Sequence, residues 1–227
     1  MLKILYEDDE ILVIDKPAGL PAQPGAGVTS SVVSVTEKEL GIRPFLVHRL
    51  DKETCGCMLL AKSSAAASRF SALLQDPRAG KTYYAICSGS PRKAGGVYDE
   101  PLGRNGDEEA LTEYRLLAQF GSARIGRSRL ELPWAEGFSL LCFRLRTGRM
   151  HQIRRHCSIH GHPILGDDKY GDFRLNRSLK KEYTLRHILL WAKKLEVPGF
   201  LSAVSPLPDH FKDFFSRFPD APNPEDY

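Results

Sequence analysis

FLVHRLDKETCGCMLLAK, residues Phe45–Lys62, sets one aspartate between two apolar runs. Phe45-Leu46-Val47 and Met58-Leu59-Leu60-Ala61 have strand character, and the six residues from Asp51 to Gly56 between them have turn character. Two strands and a tight connection follow, with Asp51 at the strand-to-turn junction. A carboxylate there has an ordinary use, since aspartate commonly accepts hydrogen bonds from backbone N–H groups in turns. Its neighbours along the chain decide whether it does more.

Before this stretch, alternation from Ile4 to Ile14 reads as one strand, and Lys16–Gly27 (KPAGLPAQPGAG) as a Pro/Gly-rich loop. Thr29–Leu40 carries Val32, Val33, Thr36 and Leu40 at helical spacing and stops at Gly41. After it, Ser64–Gln75 has Ala66, Phe70, Leu73 and Leu74 on one helical face behind a serine cap. Lys81–Gly89 reads as a strand, and Ser90–Gly137 as hairpins that include EALTEYRLLAQF and GSARIGRSRLEL. Leu140–Leu145 is a further strand, and Met150–His160 a short helix ended by Gly161. Phe211, Phe214, Phe215 and Phe218 recur at i, i+3, i+4 and i+7, a packing stripe. Strands with a few helices and no regular alternation of the two give an α+β fold, without repeats or linkers, read as a single domain over residues 1–227.

The 227 residues are enough for one sizeable core or two small subdomains sharing one. At 42% hydrophobic residues no apolar run approaches the ~20 needed to span a bilayer, and the acidic start is unlike a signal peptide, so a soluble cytoplasmic protein is expected. Five cysteines without a C-x-x-C pair point to buried thiols, not to disulfides or a zinc ribbon. Net charge is only +4, but its distribution is uneven. Ser139–Gly166 contains no acidic residue and five arginines (144, 146, 149, 154 and 155), so positive potential and an anion-binding role are expected there.

Three constellations could carry chemistry. HQIRRHCSIHGH invites a metal, but His151 lies five residues before His156, about 140° around a helix, and no HExxH is present. Hydrogen bonds to backbone or anion suit these histidines better. Asp51 with the carboxylates of GDDKYG, residues Gly166–Gly171, could make an aspartyl-phosphate site with Mg²⁺, yet no aspartate follows two residues after Asp51. The third combination is Asp51, Arg154 and Tyr83: an ionised carboxylate, a cation to keep it ionised and an aromatic face for a base, as a reaction at a nucleotide requires.

HRLDKETCGCMLLAK, KTYYA, EALTEYRLL, TGRMHQIRRH and GHPILGDDKYG, in this order and spacing, resemble the signature segments of the RluA family of pseudouridine synthases, and YEDDEILVIDKPAGLP resembles the family's opening strand and loop. The resemblance runs from about Ile4 to Gly171, with a weaker echo at LPDHF. It implies isomerisation of uridine to pseudouridine in tRNA or rRNA, by a monomer needing no metal or other cofactor and binding no DNA. Asp51 matches the catalytic aspartate, Tyr83 the tyrosine that lies against the base, and Arg154 the arginine that pairs with the aspartate. Arg49 matches the residue supporting the vacated nucleotide position, and Arg149, Gln152 and Arg155 complete the RNA-binding set. The implied fold is a mostly antiparallel bent sheet flanked by helices with a central RNA cleft, here as a stand-alone catalytic domain without the accessory N-terminal RNA-binding domain.

Departures from the family pattern are Cys55 for serine, Cys57 for an aliphatic residue, Met150 for threonine, Arg155 for an apolar residue and Trp191 for histidine. Whether Asp51 attacks C1′, attacks C6 or takes a sugar proton stays open at this level. An RNA-binding protein without catalysis would keep the arginines and have no use for an aspartate-centred HRLD.

Overall fold

The structure is a computed structural model and describes residues 2–25, 27–103, 106–121 and 137–227. In chain order it contains β1 (Lys3–Glu7), β2 (Ile11–Lys16), α1 (Val32–Leu40), β3 (Phe45–Leu46), β4 (Cys55–Ala61), α2 (Ser64–Leu73), β5 (Gly80–Ser88) and β6 (Gly95–Tyr98). β7 (Thr112–Phe120), β8 (Phe138–Leu145), α3 (Gln152–Ile159), α4 (Phe173–Tyr183), β9 (Leu190–Val197), β10 (Leu201–Val204) and α5 (Asp209–Phe215) follow. This is a mixed fold with mostly antiparallel strand pairing, and it divides into two compact units: residues 1–82 with 191–206, and residues 83–190 with 207–227.

In the first unit the strand order is β1-β2-β4-β9, with β3 added to β4 and β10 to β9. The single strand expected over Ile4–Ile14 is a hairpin. Asp8 turns it, its carboxylate accepting from the N–H groups of Glu10 and Ile11 at 2.8 Å each, so the chain returns as an antiparallel partner. Every residue of β4 is buried, and β2 nearly so, which is why alternation fades in both. Registers Val13↔Leu59 and Ile11↔Ala61 put Ile11, Val13, Cys57, Leu59 and Ala61 on one sheet face, where Ala66 and Phe70 of α2 pack with Leu195 and Val197. Phe70 alone contributes about 2–3 kcal/mol by leaving water. Both helices begin at serines: Ser31 accepts from Ser34 N–H in a capping box, and Ser63 accepts from Ala66 N–H.

The second unit orders its strands β5-β8-β7-β6. β7 and β8 pair from Thr112↔Leu145 to Phe120↔Phe138, and EALTEYRLLAQF therefore supplies the middle of a hairpin sheet. Of GSARIGRSRLEL, everything after Gly121 lies outside the described residues. The phenylalanine stripe does pack: Phe214 and Phe218 meet Phe138 at 5.6 and 5.4 Å between ring centroids, and Phe215 meets Phe120 at 5.6 Å. α4 was not anticipated. It rests on Asp172, whose side chain accepts from Leu175 N–H, and buries only Leu175 and Leu179.

Candidate active site

Asp51 is carried on a turn that the first unit holds from several sides. β3 pairs with β4 at Leu46↔Leu60, and one residue beyond Val47 the His48 ring takes over the ladder, its Nε2 accepting from Leu59 N–H at 3.0 Å. An accepting Nε2 requires the neutral imidazole, and burial together with Lys81 brings the His48 pKa down to about 4. Leu50 is buried and anchors the approach. Thr54 N–H donates to the Asp51 carbonyl at 3.1 Å, so Asp51 opens a β-turn with Lys52 and Glu53 at its corners. The Asp51 carboxylate is left half-buried, and Arg49 is exposed.

The underside of this turn is fastened by a residue that sequence reading placed at the start of a loop. Lys16 is fully buried, and its ammonium donates to the carbonyls of Pro17 (2.9 Å), Leu20 (2.7 Å) and Lys52 (2.9 Å). All three N–H donors are used. Gly19 N–H adds a second hydrogen bond to the Lys52 carbonyl at 2.9 Å. The loop after β2 and the turn bearing Asp51 are thus bolted together through one cation and one backbone hydrogen bond. Burial brings the Lys16 pKa down to about 8, while Cys55, Glu53 and Asp51 act in the opposite direction. A lysine directly before Pro-Ala-Gly after a buried strand was the available signal.

Behind the turn, Gly56 sits at φ 108° where a Cβ would run into the Ala192 carbonyl and the Trp191 ring. Trp191 is fully buried, and its indole N–H donates to Ser205 Oγ at 2.8 Å, which in turn donates to Asp15 at 2.7 Å. The tryptophan that departs from the family pattern therefore has a satisfied polar end. Cys55 and Cys57 are buried, both thiols pushed up to about 12 chiefly by burial, and so stay unreactive.

The second unit holds Tyr83, Arg149, Gln152, Arg154 and Arg155. Tyr83 is buried on β5. α3 starts from His151 in a left-handed conformation (φ 54°), and Arg154 on its first turn is 5% exposed. The guanidinium of Arg154 makes a two-pronged pair with Asp167, Nε to Oδ2 at 2.8 Å and an Nη to Oδ1 at 2.7 Å, and reaches Asp168 at 3.2 Å. Burial alone would raise the Asp167 pKa. Arg154 and the N–H groups of Tyr170 and Lys169 outweigh it and hold the carboxyl below its ordinary range. Three of these donors fall on Oδ1 and one on Oδ2, so the Asp167 carboxylate serves Arg154 and its own loop, while Asp168 stays exposed.

Two sequence expectations change here. Gln152 is buried, not turned to solvent: its oxygen accepts from Thr147 Oγ1 (2.8 Å) and Arg149 N–H (2.9 Å), and its nitrogen donates to Leu111 O (3.0 Å) and Thr112 Oγ1 (2.8 Å). An amide with all its capacity committed fixes the loop before α3 and has none left for RNA. Nor are the arginines of Ser139–Gly166 unopposed. Arg146 pairs with Glu113 (2.8 Å), Arg149 with Glu108 (3.0 Å), and Arg154 with Asp167, because the fold brings acids from outside the stretch. Arg155 is half-buried. The histidines take separate partners: His151 with Tyr170, His156 with Thr112 and the Glu100 carbonyl, His160 with the Glu100 carboxylate, and His162 with Tyr98.

The first unit thus carries a half-buried aspartate on a clamped turn, and the second a buried, doubly bonded arginine. The family model described as RNA pseudouridylate synthase matches residues 10–159. Ribosomal large subunit pseudouridine synthase D of Pseudomonas aeruginosa is 36% identical over 92% of this chain and 69% of its own length. An uncharacterised RNA pseudouridine synthase of Synechocystis sp. is 33% identical, over 93% of this chain and 67% of its own. tRNA pseudouridine synthase C of Pectobacterium carotovorum is 32% identical over 87% of this chain, which spans 55% of that relative. Among solved structures, human RNA pseudouridylate synthase domain containing 4 superposes with a TM-score of 0.73 at 29% identity, covering 95% of this chain and 92% of that one. The chain belongs to the RNA pseudouridine synthases, isomerases acting on RNA, and within them to the RluA family.

Proposed function

We propose that the chain converts particular uridines of tRNA or rRNA to pseudouridine in the cytoplasm, as a monomer that does not act on DNA, and that residues 1–227 serve as one catalytic domain. In this reading Asp51 is the catalytic carboxylate, Tyr83 lies against the uracil, and Arg154 is the cation of the site. Arg49, Arg149 and Arg155 contact RNA, and Gln152 shapes the loop that carries Arg149. The observation that carries the proposal is the setting of Asp51, an aspartate in an HRLD segment within the family match, on a turn clamped from beneath by the Lys16 ammonium. Relatives named for the large ribosomal subunit and for tRNA support RNA of either kind as substrate.

The reaction balances without any cofactor. The N1–C1′ bond breaks, the uracil turns, C5 bonds to C1′, and the hydrogen of C5 leaves as a proton while N1 gains one. Release of tritium from [5-³H]uridine-labelled RNA, in EDTA and without added nucleotide, measures this directly. Nucleotide-resolution mapping of pseudouridine in total RNA with and without the gene then names the site. A strict Mg²⁺ requirement with phosphate release would instead support an aspartyl-phosphate enzyme.

A further inference from the structure

Among the described residues of the second unit, four exposed cations stand together on α4, which lies beyond the residues matched by the family model. At 100° per residue, Arg174, Arg177, Lys180 and Lys181 all fall within an arc of about 120° opposite the buried Leu175 and Leu179. All four are exposed, spread along roughly 10 Å of helix axis. Among the described residues none of the four has an acidic partner, whereas Arg146, Arg149 and Arg154 all do. Phe173, 62% exposed, opens the helix on the same arc.

Helix stability does not account for this arrangement. Lys180 and Lys181 suit the negative end of the helix dipole, but Arg174 occupies the first turn, where the dipole disfavours a cation and the only acid at that end is the capping Asp172. Arg174/Arg177 and Arg177/Lys181 are like charges at i,i+3 and i,i+4, which also oppose the helix. Its placement is nonetheless firm. Asn176 donates to the Asp167 carbonyl at 2.8 Å and accepts from Gly166 N–H at 2.9 Å, and Asp167 is the partner of Arg154, so α4 is tied through one loop to α3. Gly171 closes that loop where a Cβ would strike the Asp167 carbonyl and the Asn176 amide.

We infer that the exposed face of α4 is a second RNA-docking surface, on which Arg174, Arg177 and Lys181 engage phosphates of a stem and Phe173 offers a ring to an unpaired base beside it. The inference rests on RNA being the substrate and adds a surface that the family's matched segment lacks. Its occupant is RNA because a row of unpaired cations with an adjoining aromatic complements a phosphate backbone with bases at its edge.

The test compares the wild type with R174Q/R177Q/K181Q, using labelled unfractionated tRNA and labelled total rRNA as probes and following Kd as salt is raised. The plot of log K against log salt is expected to lose about two to three units of slope for at least one probe, at about 0.9 per duplex phosphate released. Thermal unfolding shows whether the variant is folded. R174K/R177K, which keeps both charges beside Lys181, is expected to retain the slope. An unchanged slope in the glutamine variant, with wild-type RNA binding and tritium release intact, overturns the docking surface and leaves the enzyme reading standing. Loss of binding to anionic lipid vesicles instead of RNA overturns it as well, and a wild type that neither binds RNA nor releases tritium overturns both.

Discussion

Replacing Lys16 with methionine removes the ammonium beneath Asp51 and nearly preserves its volume. The carbonyls of Pro17 and Leu20 lose this donor, while Lys52 O keeps Gly19 N–H. Two orphaned carbonyls cost about 2–6 kcal/mol together. Against this stands the burial of a charge, which lowers the Lys16 pKa from the ordinary 10.5 to about 8. At about 1.4 kcal/mol per pH unit, relieving it returns roughly 3 kcal/mol. Near neutral pH the two effects largely offset, and the variant should be only modestly less stable. The pH dependence separates them. Because the folded pKa lies below the unfolded one, the unfolded chain binds the extra proton between pH 8 and 10.5, and wild-type stability from this group rises with pH across that window. It is absent below the folded value and complete above the unfolded one. Lys16→Met lacks the effect, so the stability gap in urea unfolding should widen by about 3 kcal/mol over the window, with all other titrating groups cancelling in the difference. Tritium release should fall in the variant even at pH values where it is well folded, since the loop and the turn are then joined only by the Gly19-to-Lys52 hydrogen bond. A gap that stays constant with pH would refute the buried, downshifted ammonium.

Asp51→Asn keeps shape and hydrogen bonding but can be neither nucleophile nor base, so tritium release should vanish while RNA affinity stays within a few-fold; residual turnover would point to another carboxylate. Arg154→Ala should destabilise by about 3–5 kcal/mol because Asp167 is left charged and buried. Arg154→Met with Asp167→Asn should cost less than the two single changes summed, and additivity in a double-mutant unfolding cycle would mean the pair is not coupled. Arg155→Ala should lower the salt slope of RNA binding by about one unit and Arg149→Ala by less, since Glu108 already partners Arg149; equal effects would show that ion pair to be open in solution. His48, His162 and His210 are each brought down to about 4, mainly by burial, so they are neutral when folded and stability should fall as pH drops from about 6.5 toward 4. A flat unfolding free energy over that range would sink the assignment.

Where local chemistry governs, the sequence was readable. Ser63 marks the helix it caps, Gly41 ends α1, and the apolar runs around Asp51 locate its turn, while α1 starts at Val32 behind Ser31, three residues later than the expected Thr29. The first hairpin was missed because strand-forming residues continue on either side of Asp8, and only the Asp8 carboxylate reveals the reversal. α4 escaped because two leucines four residues apart are a thin stripe among so many charges. The site divides similarly. HRLD and HQIR stand out as motifs, but the Asp167 pairing of Arg154, the carboxylates facing Arg146 and Arg149, and the three carbonyls around Lys16 come from segments distant in the chain or from a loop conformation that periodicity cannot reveal.

Asp15, Ser205 and Trp191 carry a further implication, for descent. The serine hydroxyl accepts from the indole and donates to the carboxylate, so each residue's suitability is conditional on the other two. The close approach of the indole to Gly56 adds a steric condition at a fourth position. A lineage exchanging the indole for an imidazole at position 191 opens a void against Gly56 and leaves Ser205 to find a new donor. These four positions therefore form one heritable character, and the order in which their substitutions can accumulate is restricted even though none of them is a reacting group.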